Sequence, residues 1–201
     1  MHMKIIPHFS AEGLSNEYLI VDDEENGIIV DPAHVDGELL EIIEKMCNRL
    51  VAVLITHKHQ SHTAGLGTLL KIYNLDVYAF EKSINGIKTI QFKDGETKRI
   101  GSLDVKALLI PGHSMDSLVY SIDGAIFTGD TLSSGSVAMT ESFVEKELLI
   151  KSLERKIMCL PDNTLIFPGH GAPSKLRIEK MLNQDMLESE AATTGKAYRL
   201  S

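Results

Sequence analysis

Val51-Ala52-Val53-Leu54-Ile55-Thr56 runs directly into His57-Lys58-His59-Gln60-Ser61-His62. The first part is a continuous apolar and β-branched run, the pattern of a strand buried on both faces. The second part crowds three imidazoles into one short turn. A strand ending this way delivers nitrogen donors to the rim of a sheet, where loops gather. The arrangement recurs downstream: His113 follows the run Ala107–Pro111, Asp130 follows Ala125–Thr128, and His170 follows Thr164–Phe167. Separate strands thus carry imidazole or carboxylate groups at their C-terminal ends.

Around these runs the chain alternates. Tyr18–Val21 and Ile28–Val30 read as strands of a hairpin whose turn is Glu25-Asn26-Gly27, because Asn-Gly is a strong turn signal. The spacing of apolar residues from Asp36 to Arg49 predicts a helix with Asp36 as N-cap. A second helix is expected over Ala64–Tyr73, a short strand at Val77–Phe80, and β-ribbon from Thr89 to Ile110. Leu118–Ile122 and Ala125–Thr128, joined by Asp123-Gly124, form the cleanest hairpin signal in the chain. A helix from Val144 to about Leu160 is stopped by Pro161. A strand at Thr164–Phe167 and a last helix over Ser174–Leu187 complete the reading. The fold class is α/β (α+β), with helices covering the outer faces of two packed sheets.

The chain has 201 residues and a net charge of −8, with 43% apolar residues. The length fits a single domain spanning 1–201, with the tail 188–201 included. An acidic chain is poorly suited to tracking phosphate backbones, which favours a small-molecule partner over nucleic acid. No run reaches transmembrane length and no signal-peptide segment opens the chain, so neither membrane association nor export is expected. Cys47 and Cys159 are expected to be small buried hydrophobes, and sparse cysteine points to a reducing, cytoplasmic compartment. His8 and His34 are expected to be partly exposed polar residues without a metal role, and His2 is given none.

Imidazole nitrogen and carboxylate oxygen suit Zn²⁺, Fe²⁺ or Mn²⁺ at sites that keep an open position. His57-x-His59-x-Ser61-His62 resembles the H-x-H-x-D-H signature of the metallo-β-lactamase superfamily. Pro111-Gly112-His113-Ser114, Phe127-Thr128-Gly129-Asp130-Thr131 and Pro168-Gly169-His170-Gly171 are similar to its remaining ligand motifs, in order. Asn16-x-Tyr18-Leu19-Ile20 followed by Ile29-Val30-Asp31-Pro32 also matches. The resemblance implies an αββα four-layer sandwich. It also implies one or two zinc ions, with iron or manganese as alternatives. His57, His59 and His113 would hold the first, His62 and His170 the second, and Asp130 would bridge them and orient an attacking water. Asp31 is either a partner fixing a ligand imidazole or a turn aspartate before Pro32.

Within the superfamily the phrase Phe127–Leu132 and the tail Glu179-Lys180-x-x-Asn183 are similar to single-domain relatives of hydroxyacylglutathione hydrolase (glyoxalase II). That implies a metal-dependent hydrolase acting on a thioester or related ester. Three departures stand out. Ser61 replaces the aspartate that would serve the second metal. Val137–Glu141 lacks the expected Gly-Arg-Thr-Asp. The stretch after His170 is too short for the helical glutathione-binding domain of full glyoxalase II enzymes. Ser61 leaves two rival readings: a mononuclear iron oxygenase similar to persulfide dioxygenases, and a non-catalytic binding protein with a degenerate site.

Overall fold

The computed structural model describes residues 3–194, with side chains described through Ser189. His2 and the end of the tail from 195 to 201 lie outside the described residues. The chain opens with β1 (Lys4–Ser10), β2 (Ser15–Val21), β3 (Asn26–Val30), α1 (Gly37–Met46) and β4 (Arg49–Leu54). There follow α2 (Gln60–Thr63), α3 (Leu66–Ile72), β5 (Asp76–Ala79), the short pair β6 (Ser83–Ile84) and β7 (Ile87–Lys88), and β8 (Ile90–Gln91). The second half comprises β9 (Thr97–Ile100), β10 (Leu103–Leu109), β11 (Leu118–Ile122), β12 (Ala125–Gly129), β13 (Leu132–Ser133) and β14 (Ser136–Val137). It ends with α4 (Phe143–Lys156), β15 (Leu165–Pro168), β16 (Ser174–Lys175), α5 (Leu176–Leu182) and α6 (Gln184–Thr194).

Two six-stranded sheets are ordered β1-β2-β3-β4-β5-β8 and β16-β15-β12-β11-β10-β9. Apolar residues of their facing sides interdigitate: Tyr18, Ile20, Ile28 and Leu54 from the first meet Val105, Leu118, Tyr120 and Phe127 from the second. The opposite face of the first sheet packs Leu19, Ile29 and Val53 on Leu39 and Ile43 of α1 and Leu66 and Leu69 of α3. The outer face of the second packs Val119, Ile126 and Ile166 on Leu149 and Leu153 of α4, Leu176 of α5 and Met186 of α6. These are the four layers of an αββα sandwich. β3 and β12 are buried along their whole length because each is covered on both faces. Each fully buried Leu, Ile or Phe adds roughly 1.5–3 kcal/mol of apolar burial.

The Asp123-Gly124 hairpin forms as expected, with φ of 44° and 81° at the two turn residues. Asp36 caps α1 by accepting the Leu39 N–H at 2.8 Å. Elsewhere the local signals mislead. Asn26-Gly27 is not the turn but the start of β3. The turn lies at 22–25, because the Asp22 carboxylate accepts the N–H groups of Glu24 (2.9 Å) and Asn26 (2.8 Å). The last helix breaks at Asn183, which leaves helical geometry. Its side-chain Nδ2 donates back to Glu179 Oε2 (2.9 Å), and its side-chain Oδ1 receives the Met186 N–H (3.3 Å). Cys159 is exposed beyond the end of α4, and Cys47 is only half-buried, so neither is the core hydrophobe expected. Among the described residues no helix is long and apolar enough to cross a membrane.

His8 is also a correction: it is buried, because it stands opposite Glu17 in the β1–β2 register, beneath the start of α1. Its Nδ1 faces Glu17 Oε2 at 3.5 Å and its Nε2 faces Asp36 at 3.4 Å. Glu17 accepts the His34 N–H at 2.7 Å. Burial pushes the Glu17 carboxyl up to about 8, against the backbone N–H bonds that pull it down. An unfolded glutamate titrates near 4.5, so the folded chain holds this proton more tightly. The stability contributed is full below about 4.5 and is lost as pH rises from there through about 8. Glu17→Gln is therefore expected to flatten the fall in Tm across that window. Parallel Tm-versus-pH curves for variant and wild type would count against it.

Candidate metal centre

The strands point their C-terminal ends at one rim, and the polar residues singled out in the sequence meet there. His57 and His59 leave the turn after β4, and His62 sits in α2, whose carbonyl of Ser61 is held by the Ser15 hydroxyl (2.8 Å). His113 comes from the β10–β11 loop, Asp130 directly follows β12, and His170 follows β15. The His170 loop is strapped from the other sheet. Asn16 donates its backbone N–H to Gly169 O (2.7 Å) and its side-chain amide to Pro168 O and Gly171 O (3.0 and 2.7 Å). The Tyr18 hydroxyl reaches Pro168 O at 2.6 Å from beneath. Space between these loops is minimal, since a Cβ on Gly169 would run into the His62 ring and the Asp130 carboxylate.

Two donor groups result. His57, His59, His113 and Asp130 bring one atom each within 4.8 Å of one another, and so do His62, Asp130 and His170. In the first, His59 Nδ1 lies 3.0 Å from His57 Nε2 and 3.1 Å from His113 Nε2. Asp130 Oδ2 is 3.7 Å from His57 Nε2 and 3.5 Å from His113 Nε2. Donors about 2.0–2.1 Å from a tetrahedral zinc lie about 3.3 Å apart, so this spacing fits a metal.

The tautomers fit as well. The Thr56 hydroxyl donates to Asp31 Oδ2 (2.6 Å), so it can only accept from His57 Nδ1 (3.1 Å), which leaves the lone pair of Nε2 facing the cluster. His113 Nδ1 donates to the Met139 carbonyl (2.9 Å), which likewise leaves its Nε2 facing inward. Lone pairs of neighbouring imidazoles aimed at one point repel unless a proton or a cation lies between them.

In the second group His62 Nδ1 is 3.0 Å from Asp31 Oδ2, whose partner oxygen accepts the Thr56 N–H (2.7 Å). Asp31, held at a positive φ of 53°, is therefore the partner that orients the His62 imidazole, rather than a turn aspartate alone. His62 Nε2 is buried, 3.2 Å from Asp130 Oδ1, and makes no hydrogen bond. A buried imidazole nitrogen that meets a carboxylate only outside hydrogen-bond geometry is poorly satisfied, and a cation seated between the two would satisfy both, a second sign that the residues suit one. His170 Nδ1 lies 2.7 Å from Asp130 Oδ1. Ser61 is half-buried in α2, so the position that an aspartate would occupy lies in the same turn but offers only a hydroxyl.

Charge follows from these contacts. Burial, with His62 nearby, depresses the His57 pKa to about 3 and keeps it neutral. Burial also opposes charging of His62, but the Asp31 and Asp130 carboxylates outweigh it and raise its pKa to about 10. Burial opposes charging of Asp130, but the His170 hydrogen bond and the adjacent His62 imidazole outweigh it and hold its carboxyl far below the usual carboxylate range.

The mouth of the site is a cleft of about 270 Å³ lined by His113, Asp130, Ser133, Val137, Ala138, Met139 and His170. Its far wall, the β13–β14 hairpin, is pinned by the C-terminal helices: Glu179 accepts the Gly135 N–H and Asp185 the Val137 N–H, each at 3.0 Å. A larger cleft of about 670 Å³, between the ends of α1 and α3, lies at the opposite rim and contains neither donor group. One residue escaped the sequence reading: Asp116, buried between the His57–His59 turn and the His113 loop. Its only signal was a carboxylate shortly after His113.

The Metallo-beta-lactamase superfamily model matches residues 11–170. A probable hydroxyacylglutathione hydrolase of Schizosaccharomyces pombe is 32% identical, covering 85% of this chain and 70% of that protein. A probable polyketide biosynthesis zinc-dependent hydrolase, BaeB of Bacillus velezensis, is 26% identical over 84% of this chain and 79% of its own length. Among solved structures, ETHE1 from Myxococcus xanthus superposes with a TM-score of 0.80 at 25% identity, covering 98% of this chain and 92% of that one. The four-layer packing agrees with this sequence kinship, and the chain belongs to the metallo-beta-lactamase superfamily.

Proposed function

We propose that the protein is a metallohydrolase that cleaves a thioester, with His57, His59, His113 and Asp130 holding the principal metal. The observation that carries this reading is the convergence of the His57 and His113 Nε2 atoms, His59 Nδ1 and Asp130 Oδ2 at tetrahedral spacing. The relatives named as hydroxyacylglutathione hydrolases support the thioester, and BaeB supports zinc. A bound metal supplies Lewis acidity, acidifying water and polarising the substrate carbonyl. The chain's own part is positional. Thr56, Asp31 and the Met139 carbonyl fix the ring orientations, and Asp130 accepts a hydrogen bond from the attacking water and aims it. Val137, Ala138 and Met139 line the side of the cleft where the substrate's acyl portion rests. The test is metal content per chain after purification without added metal, together with hydrolysis of an S-acylated glutathione. A metal-replete protein inactive on thioesters, yet active on a lactone or an oxygen ester, would move the substrate class.

Ser61 favours unequal occupancy. Position 61 lies in the turn that carries the three clustered histidines, and a serine there contributes no charge to the His62, Asp130 and His170 group. We expect that group to bind a cation more weakly than the other. Ser61→Asp is expected to raise affinity for a second ion at least about tenfold and to increase thioester turnover, since a carboxylate adds both donor and compensating charge. Metal titration beside turnover measures both. The same feature favours one alternative, a single-iron oxygenase, which iron content and oxygen uptake with a glutathione persulfide distinguish. In that enzyme Ser61→Asp leaves activity unchanged or lowers it.

A further inference from the structure

The two loops that supply the three histidines of the principal donor group are joined by a buried carboxylate. Asp116 is 3% exposed and belongs to the loop between β10 and β11. Its Oδ2 accepts the backbone N–H of Lys58 at 3.0 Å, and Lys58 stands between His57 and His59. Its Oδ1 accepts the hydroxyl of Ser114, the residue after His113. The same loop is closed by the Ile110 N–H on Ser117 O (2.8 Å) and the Ser117 N–H on Ser114 O (3.3 Å). It meets the first sheet through the Leu118 N–H on Thr56 O (2.8 Å). Each loop is thus tied at the residue beside its histidine, and both ties end on one side chain.

We propose that Asp116 is a positioning residue that sets the distance between the His57/His59 turn and His113, and so the affinity of the principal metal site. The physical reason is that the two loops belong to different sheets. Sheet packing is non-directional and leaves rim loops free to shift by an ångström or more, whereas metal donors tolerate only a few tenths. A carboxylate with two well-directed acceptor oxygens holds both at once, and buried charge-assisted hydrogen bonds are the strong class. The Lys58 side chain is exposed and free to point away, because the contact uses its backbone. This rests on the reading that His57, His59 and His113 hold a metal.

The test is a competition titration with cobalt(II), which reports affinity and, through its visible spectrum, ligand geometry. It is run on wild type, Asp116→Ala, Asp116→Asn and Asp22→Ala. Asp22 is a control of the same kind. It is buried, accepts N–H groups from Asn26 (2.8 Å) and Ser102 (2.7 Å), and ties the sheets at the opposite rim. Asp116→Ala is expected to weaken cobalt binding about 10- to 100-fold and to alter the spectrum. Asp116→Asn, which keeps one acceptor, should recover part of the affinity. Asp22→Ala should lower Tm without shifting affinity. Wild-type affinity in a folded Asp116→Ala, or an equal loss in Asp22→Ala, overturns the proposal. If Asp116→Ala fails to fold, Asp116→Asn decides alone: a loss beyond about threefold supports the proposal and wild-type affinity overturns it. A wild-type protein that binds no cobalt would instead refute the metal reading itself.

Discussion

Asp130→Ala is expected to empty both donor groups and to lower kcat/KM by at least about 10³-fold, the scale of losing several kcal/mol of metal-derived stabilisation. Asp130 is the one carboxylate in either group among the described residues, and it is the only member they share. Its Oδ2 faces His57 and His113 while its Oδ1 faces His62 and His170. The remaining donors are imidazoles, which bind a metal only in their neutral form and so give a dication no charge compensation. The fold should survive, because Asp130 sits in a loop at the end of β12 and the apolar layers beneath do not depend on it. Metal per chain and turnover should fall together while circular dichroism stays native. Full metal content in a folded Asp130→Ala would show that the imidazoles suffice and that the bridging role is wrong.

The second large effect is expected from the smallest change. Gly169→Ala adds a methyl group where the nearest atoms are His62 Cε1, Asp130 Oδ1 (2.8 Å) and the Gly129 carbonyl carbon (3.2 Å). The strap cannot yield easily. Gly169 donates to Gly129 O at 2.7 Å and its own carbonyl receives the Asn16 N–H, also at 2.7 Å. The methyl therefore displaces His62 or Asp130, and a shift of about 1 Å at a reacting centre costs about 10²-fold in rate. Overpacking should cost a further ~1–3 kcal/mol of stability. Gly171→Ala is the contrast. Gly171 has φ of 85°, but its added methyl would meet nothing within 4 Å, so the change strains the backbone without reaching the donors. Kinetics and metal titration on both variants separate crowding from strain. Equal losses in the two would mean that loop conformation, rather than space beside His62, is what matters.

The amino-acid order by itself determined the strand-then-histidine units, the Asp123-Gly124 hairpin, the Asp36 cap and the alternation that puts helices outside two sheets. Each is local: a period of two or 3.6, a turn dipeptide or a capping side chain is decided by atoms a few bonds apart. Where a second local interaction competed, the simple signal lost. The Asp22 carboxylate took the turn away from Asn26-Gly27, and the Asn183 side chain cut one helix into two. Burial was less legible still. His8 is covered because the start of α1 lies over it, and Cys159 is exposed because α4 ends before it. The candidate donors were visible as residue types, and Ser61 as a departure from a motif. Only the tertiary structure decided which nitrogens face one another, that Asp31 holds His62 rather than merely preceding Pro32, and that Asp116 ties two loops. Those relations join residues from different strands and sheets. Hydrogen-bond direction and tautomer depend on distances of a few ångströms that no sequence separation encodes.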